Sequence, residues 1–193
     1  VCSPGRYGNV KGATTLNDGC PSKCSSGRYG NIVGGTNEQM ACPSLCPKGR
    51  YGININGATN YLQGCPTLCP QGKYGDVIGA NNEATACPYT CIPGRYSTSV
   101  GQTNNSQCVK CIAGSYCSGG ASVIGCPRGR FGNISGQSSE SAGCPNQCDI
   151  GTIGVGDGFT TKEDACGDSC PAGKYAVVTS TNTTCSMCVP GKY

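Results

Sequence analysis

The chain contains no histidine and no tryptophan, and only two phenylalanines and two methionines in 193 residues. Without an imidazole, a serine or cysteine nucleophile lacks its usual general base. Leu, Ile, Val and Phe together number 27, about 14 % of the chain. At that proportion a polypeptide does not ordinarily offset the entropy of ordering itself, so one large apolar interior is not expected. No run of 18 apolar residues occurs, so no segment reads as a membrane-spanning helix. Fourteen basic and ten acidic residues leave a mild net charge of +4, too dilute for a nucleic-acid surface. The ten carboxylates are scattered. Their one cluster, Asp157 to Asp164, lacks the ligand spacing of a calcium loop.

Cysteine and glycine are abundant instead: 19 and 32 residues. Ten times a cysteine is followed three residues later by glycine, then by one residue and, in nine copies, an aromatic. The copies open at Cys2, Cys24, Cys46, Cys69, Cys91, Cys111, Cys126, Cys148, Cys170 and Cys188. Most steps are 22 or 23 residues, a period that marks a tandem repeat array. Covalent crosslinks take the place of the missing core, and disulfides at this density imply an extracellular, cell-surface or lumenal setting.

Each long loop has an opening cysteine and a second one 15 to 19 positions on. Pairing across these loops gives Cys2–Cys20, Cys24–Cys42, Cys46–Cys65, Cys69–Cys87, Cys91–Cys108, Cys126–Cys144, Cys148–Cys166 and Cys170–Cys185. Closing such a loop removes about 3 kcal/mol of unfolded-chain entropy. The rival scheme pairs across the short links, as in Cys20–Cys24, and closes little chain. Connectivity stays open on sequence alone. In the compressed copy, Cys111 closes on Cys117, or alternatively on Cys126. Cys188 is the odd cysteine, unpaired or intermolecular. Cys108/Cys111 and Cys185/Cys188 have the Cys-x2-Cys spacing of zinc sites, but the recurrent Gly-basic-Tyr group has no place in a thiolate cluster, and no metal or other cofactor is expected.

The expected fold class is small disulfide-rich repeats: an elongated tandem array of short β-hairpin or loop units, with almost no helix. Five repeats span 1–110, a short irregular one 111–125, three more 126–187, and a further repeat begins at 188–193. The chain opens at Val1 directly on a motif, as a mature product or an excerpt would. Val10, Ile32, Val77 and Ile134 each lie three residues after the motif aromatic, with glycine two residues later, which predicts a short strand entering a turn. The motif aromatics Tyr7, Tyr29, Tyr51, Tyr74, Tyr96, Tyr116, Phe131, Tyr175 and Tyr193 are expected to pack on the disulfide and on the next repeat. Ile153 replaces the aromatic in one copy. Eight basic residues share one position: Arg6, Arg28, Arg50, Lys73, Arg95, Arg130, Lys174 and Lys192. They form either a solvated row stacking on tyrosine or a stripe attracting carboxylates or an acidic polysaccharide. Three N-glycosylation sequons begin at Asn104, Asn133 and Asn182.

Cys46-Pro-Lys-Gly-Arg-Tyr51 and Cys69-Pro-Gln-Gly-Lys-Tyr74, each followed by a cysteine about 18 positions on, resemble the ephrin-receptor-type cysteine-rich repeat. They are also similar to the first submodule of tumour-necrosis-factor-receptor cysteine-rich domains. The resemblance covers nearly the whole chain. It implies bonding of the first cysteine to the second across the loop, and occurrence in surface or secreted proteins, including large ones of single-celled eukaryotes. The chain departs from it by using tandem single-disulfide units. The resulting expectation is a non-enzymatic extracellular structural protein, a glycosylated repeat rod that forms or decorates a filament, surface coat or matrix. Its expected partners are copies or further repeats of itself, and glycans. A receptor-like ectodomain binding a protein ligand is the alternative.

Overall fold

The computed structural model describes residues 1–178 and 183–189. Among them, nine two-stranded antiparallel hairpins follow one another along the chain. In the first, Arg6–Tyr7 pairs with Ser22–Lys23, placing Arg6 opposite Lys23 and Tyr7 opposite Ser22. Arg28–Tyr29 pairs with Ser44–Leu45 in the same way, Arg50–Tyr51 with Thr67–Leu68, and Lys73–Tyr74 with Tyr89–Thr90. One strand is therefore the basic-aromatic dipeptide of the motif. The other is the link between the closing cysteine and the next opening one.

The motif explains its own start. The Arg6 N–H donates to the Ser3 carbonyl at 3.1 Å, closing a turn whose third residue is Gly5 with φ of +78°. A positive φ there is what a type II turn demands, with proline favoured just before it; Pro4 occupies that place. The Cys24 N–H then donates to the Gly5 carbonyl at 2.9 Å, and Cys46 and Cys69 donate likewise to Gly27 and Gly49, so these hairpins are locked onto the opening cysteine of the next repeat.

The predicted strand near Val10, Ile32, Val77 and Ile134 is not formed: these residues lie outside any strand, and Val10 and Ile134 are 53 % and 57 % exposed. A β-branched residue favours a pleated, half-buried surface, but this part of the loop has no partner strand. The scarcity of helix holds, in the form of single turns. Among the described residues, six four-residue helical turns precede closing cysteines, including Leu16–Gly19, Glu38–Ala41 and Tyr61–Gly64. Thr15, Asn37, Asn60, Asn82, Ser139 and Thr161 cap them, each side chain accepting a backbone N–H three residues on. Each cap lies five residues before its closing cysteine.

The chain divides into two compact units, residues 1–90 with 98–107, and 91–97 with 108–193. Within the first, successive repeats are tied by backbone bonds. The N–H groups of Gly34, Gly57, Gly79 and Gly101 donate to the carbonyls of Cys2, Cys24, Cys46 and Cys69, the opening cysteines one repeat earlier, at 2.7–2.8 Å. Within the second, Gly136 and Gly158 donate likewise to Cys111 and Cys126, both at 2.8 Å. The interior is sulfur and alanine. Fourteen cysteines, five alanines and Tyr51 are the buried apolar residues, and no described Leu, Ile, Val, Phe or Met is buried.

Candidate functional site

The repeat joint is the constellation that recurs, and it is built outward from the disulfide. Nine disulfides occur among the described residues. Eight close the long loops: Cys2–Cys20, Cys24–Cys42, Cys46–Cys65, Cys69–Cys87, Cys91–Cys108, Cys126–Cys144, Cys148–Cys166 and Cys170–Cys185. The ninth joins Cys111 to Cys117, only six positions apart. Cys188 is a half-exposed free thiol.

In the first and third repeats the motif aromatic sits against the disulfide of the following repeat, whereas Tyr175 is 50 % exposed. Tyr7 packs on Cys24, Ala41 and Cys42. Tyr51, 4 % exposed, clusters with Cys69, Ala80, Ala86 and Cys87. Val77 packs against the same cluster as Tyr51, and burial of such a ring stabilises by roughly 1.5–3 kcal/mol. Burial, followed by the nearby Glu83 carboxylate, pushes the Tyr51 phenol above its ordinary pKa. Tyr193 lies outside the described residues.

The arginines of the basic position turn inward, whereas Lys174 is exposed. Arg6, Arg50 and Arg95 each donate through Nη1 to the carbonyl of their own closing cysteine, Cys20, Cys65 and Cys108, at 2.9, 2.8 and 2.6 Å. Arg28 does the same to Cys42 at 3.3 Å, and Arg130 donates through Nε to Cys144 at 3.0 Å. A guanidinium donor fork reaches a carbonyl just past a helical turn, where backbone acceptors lack helical partners. Arg50 also lies over the Tyr61 ring, 4.8 Å from its centroid. Lys73 instead forms an ion pair with Glu83 at 2.7 Å. Lys192 lies outside the described residues.

Two further positions complete the joint. Gly or Ala always precedes the closing cysteine of the capped turns: Gly19, Ala41, Gly64, Ala86, Gly143 and Ala165. The glycine after the aromatic lies against that residue's carbonyl, and a Cβ at Gly30, Gly52 or Gly75 would collide with the oxygen of Ala41, Gly64 or Ala86. These residues and the caps were missed in the sequence reading. Their signal is the restriction of one position to Gly or Ala and of another to Asn, Ser or Thr.

Asn104 and Asn133 are both exposed, and Asn182 lies outside the described residues. The acidic stretch is largely a capping device: Thr161 Oγ1 donates to Asp164 Oδ2 at 2.7 Å and accepts the Asp164 N–H. No group of three or more Cys, Asp or Glu suited to a metal occurs among the described residues, and no described helix is long and apolar enough to cross a membrane.

No family model matches the chain. Over 96 residues, 49 % of its length, the chain is 32 % identical to a mouse (Mus musculus) protein, signal peptide, CUB and EGF-like domain-containing protein 2. The aligned part spans 9 % of that relative. The chain is thus similar to a segment of a protein named for a signal peptide and for CUB and EGF-like domains. Cysteine-rich, disulfide-bonded repeats are what the sequence and the fold have in common.

Proposed function

We propose that the chain is an extracellular structural protein, a disulfide-stapled and glycosylated repeat array that forms or decorates a filament, surface coat or matrix. The observation that carries this reading is the one-sided character of the joint. Tyr7 and Tyr51 each meet the disulfide and small residues of the next repeat, and that next repeat carries an aromatic of its own. Such a heterologous contact does not saturate itself, and it lets units be added in series.

The chemistry of the joint suits a mechanical task. Each staple limits the length of chain that a pulled or transiently opened repeat releases, and the arginine holds the carbonyl at the closing cysteine. Exposed apolar side chains recur at comparable loop positions of the first unit, as at Val10, Ile32, Ile53 and Ile78, and offer a regular surface for contact with further copies. In this reading the chain has no catalytic role, binds no metal and takes no cofactor. The disulfide density and the mouse relative's named signal peptide support a secreted or cell-surface location. The likeness to ephrin-receptor-type repeats is one of module, with no receptor role carried over.

Electron microscopy and sedimentation of purified, oxidised protein test the proposal. Concentration-dependent growth of regular fibres or sheets is the expected result. Monodisperse single chains at every concentration, together with saturable capture of a protein ligand, overturn it in favour of a receptor-like ectodomain.

A further inference from the structure

The fifth repeat has a shorter loop, with 17 positions between Cys91 and Cys108 against 18 in most others. Its helical turn is replaced by a 3-10 turn, Asn105–Gln107, and Asn104 takes over as the cap. Asn104 Oδ1 accepts the Ser106 N–H at 3.0 Å and the Ser106 hydroxyl at 2.5 Å. Gln107 Oε1 fastens the other side, accepting the N–H groups of Thr103 and Asn104 at 2.6 and 3.2 Å. Asn37, Asn60 and Asn82 cap their turns without forming a sequon; at Asn104 the cap and the Asn-x-Ser sequon coincide. The cap uses only the carboxamide oxygen. Nδ2, on an exposed residue, makes one long contact with Thr103 Oγ1 at 3.4 Å, so it can be substituted without undoing the turn.

Beside it lies a hollow of about 230 Å³ lined by Lys48, Tyr74, Asp76, Tyr89, Thr103 and Asn104. Tyr74 and Tyr89 stand opposite each other in their hairpin, with rings stacked at 5.3 Å and 29°. Tyr89 keeps half its surface, 51 %, in solvent. The C–H face of a pyranose packs on such a ring, while Lys48 and Asp76 offer a donor and an acceptor for its hydroxyl and acetamido groups.

The geometry points to an N-linked glycan on Asn104 whose first sugar folds into this hollow against Tyr89. In the covalent step, Asn104 Nδ2 displaces the lipid pyrophosphate from the anomeric carbon of a lipid-pyrophosphate-linked oligosaccharide. One N–C bond forms, one C–O bond breaks, an amide proton passes to the transferase's base, and the lipid pyrophosphate leaves. No electrons are exchanged with a redox partner.

The inference rests on the extracellular part of the proposed function and not on assembly. The full chain, secreted from a eukaryotic host, is mapped by peptide mass spectrometry before and after amidase removal of N-glycans. Asn104 is expected to carry glycan, and Asn104→Gln to lose that mass. Amidase release at Asn104 from the folded protein is expected to be about tenfold faster in Tyr89→Ala than in the parent or in Tyr89→Phe. Independently of folding in the Tyr89 variants, the Tyr89 ring resonances of the glycosylated parent should differ from those of the same sequence made and oxidised without glycan, which keeps the Asn104 cap. An unmodified Asn104 in secreted protein overturns the inference, as do equal release rates or unmoved resonances. A chain unmodified at Asn104 that still assembles overturns this inference alone, whereas a glycosylated chain that never assembles overturns the filament reading alone.

Discussion

Gly27 lies against the carbonyl oxygen of Gly79, two repeats further along the chain, and has φ of +89°; a Cβ there would overlap that oxygen. Gly5 meets Gly57 in the same way, and Gly49 meets Gly101. The motif glycine thus answers two demands, a turn inside its own repeat and a backbone approach from the repeat after next.

The two demands separate experimentally. Gly27→Ala should cost about 3 kcal/mol or more, combining left-handed strain with overpacking. Gly12 has φ of +75° with open space around it, so Gly12→Ala should cost only the strain, about 1–2 kcal/mol. Urea unfolding with disulfides intact measures both, and equal losses would remove the cross-repeat contact from the account.

Arg50→Ala removes the bond to the Cys65 carbonyl and the stack on Tyr61, and should cost about 1–3 kcal/mol. Lys73→Ala removes an ion pair whose side chains are 43 % and 42 % exposed, and should cost under about 1 kcal/mol. Parallel denaturation curves decide, and a larger loss for Lys73→Ala contradicts the carbonyl-holding role.

Loop length ranks the staples. Cys46→Ala with Cys65→Ala opens a loop of 19 positions and should cost about 3 kcal/mol. Cys111→Ala with Cys117→Ala opens one of six and should cost about 2 kcal/mol. Hydrogen exchange on both variants should show the greater loss of protection around Cys46.

Glu38 accepts the Ser25 N–H at 2.8 Å. Hydrogen bonding from Ser25 lowers its pKa most, with Arg28 assisting and burial opposing. A carboxyl depressed in the folded state contributes stability above its unfolded pKa and loses it as pH falls through the folded value. The parent should therefore lose more stability than Glu38→Gln between about pH 5 and pH 2. Parallel acid titrations of the two proteins would contradict this.

Much of the architecture was legible because it is local. The motif period and the poverty of aliphatic residues describe short stapled units without an oily core. The strand location was not legible. Period-2 patterning needs several residues, and a two-residue strand such as Arg6–Tyr7 pairs with a partner beyond the closing cysteine. The arginine's role was equally hidden, because its acceptor at Cys20 or Cys65 is a backbone carbonyl, a group that every residue carries. The caps at Asn37, Asn60 and Asn82 could have been found, since a polar residue recurs five positions before the closing cysteine.

Spacing and composition alone determined that this chain is a series of small units without an apolar interior, because loop closure and turn conformation depend on neighbours along the sequence. Only the tertiary structure decided what else each unit rests on: the Gly27 backbone under Gly79 and the guanidinium of Arg50 on a carbonyl. Those contacts join atoms remote in sequence through backbone groups common to all residues, so they leave no residue-specific mark beyond the space that glycine and alanine keep open.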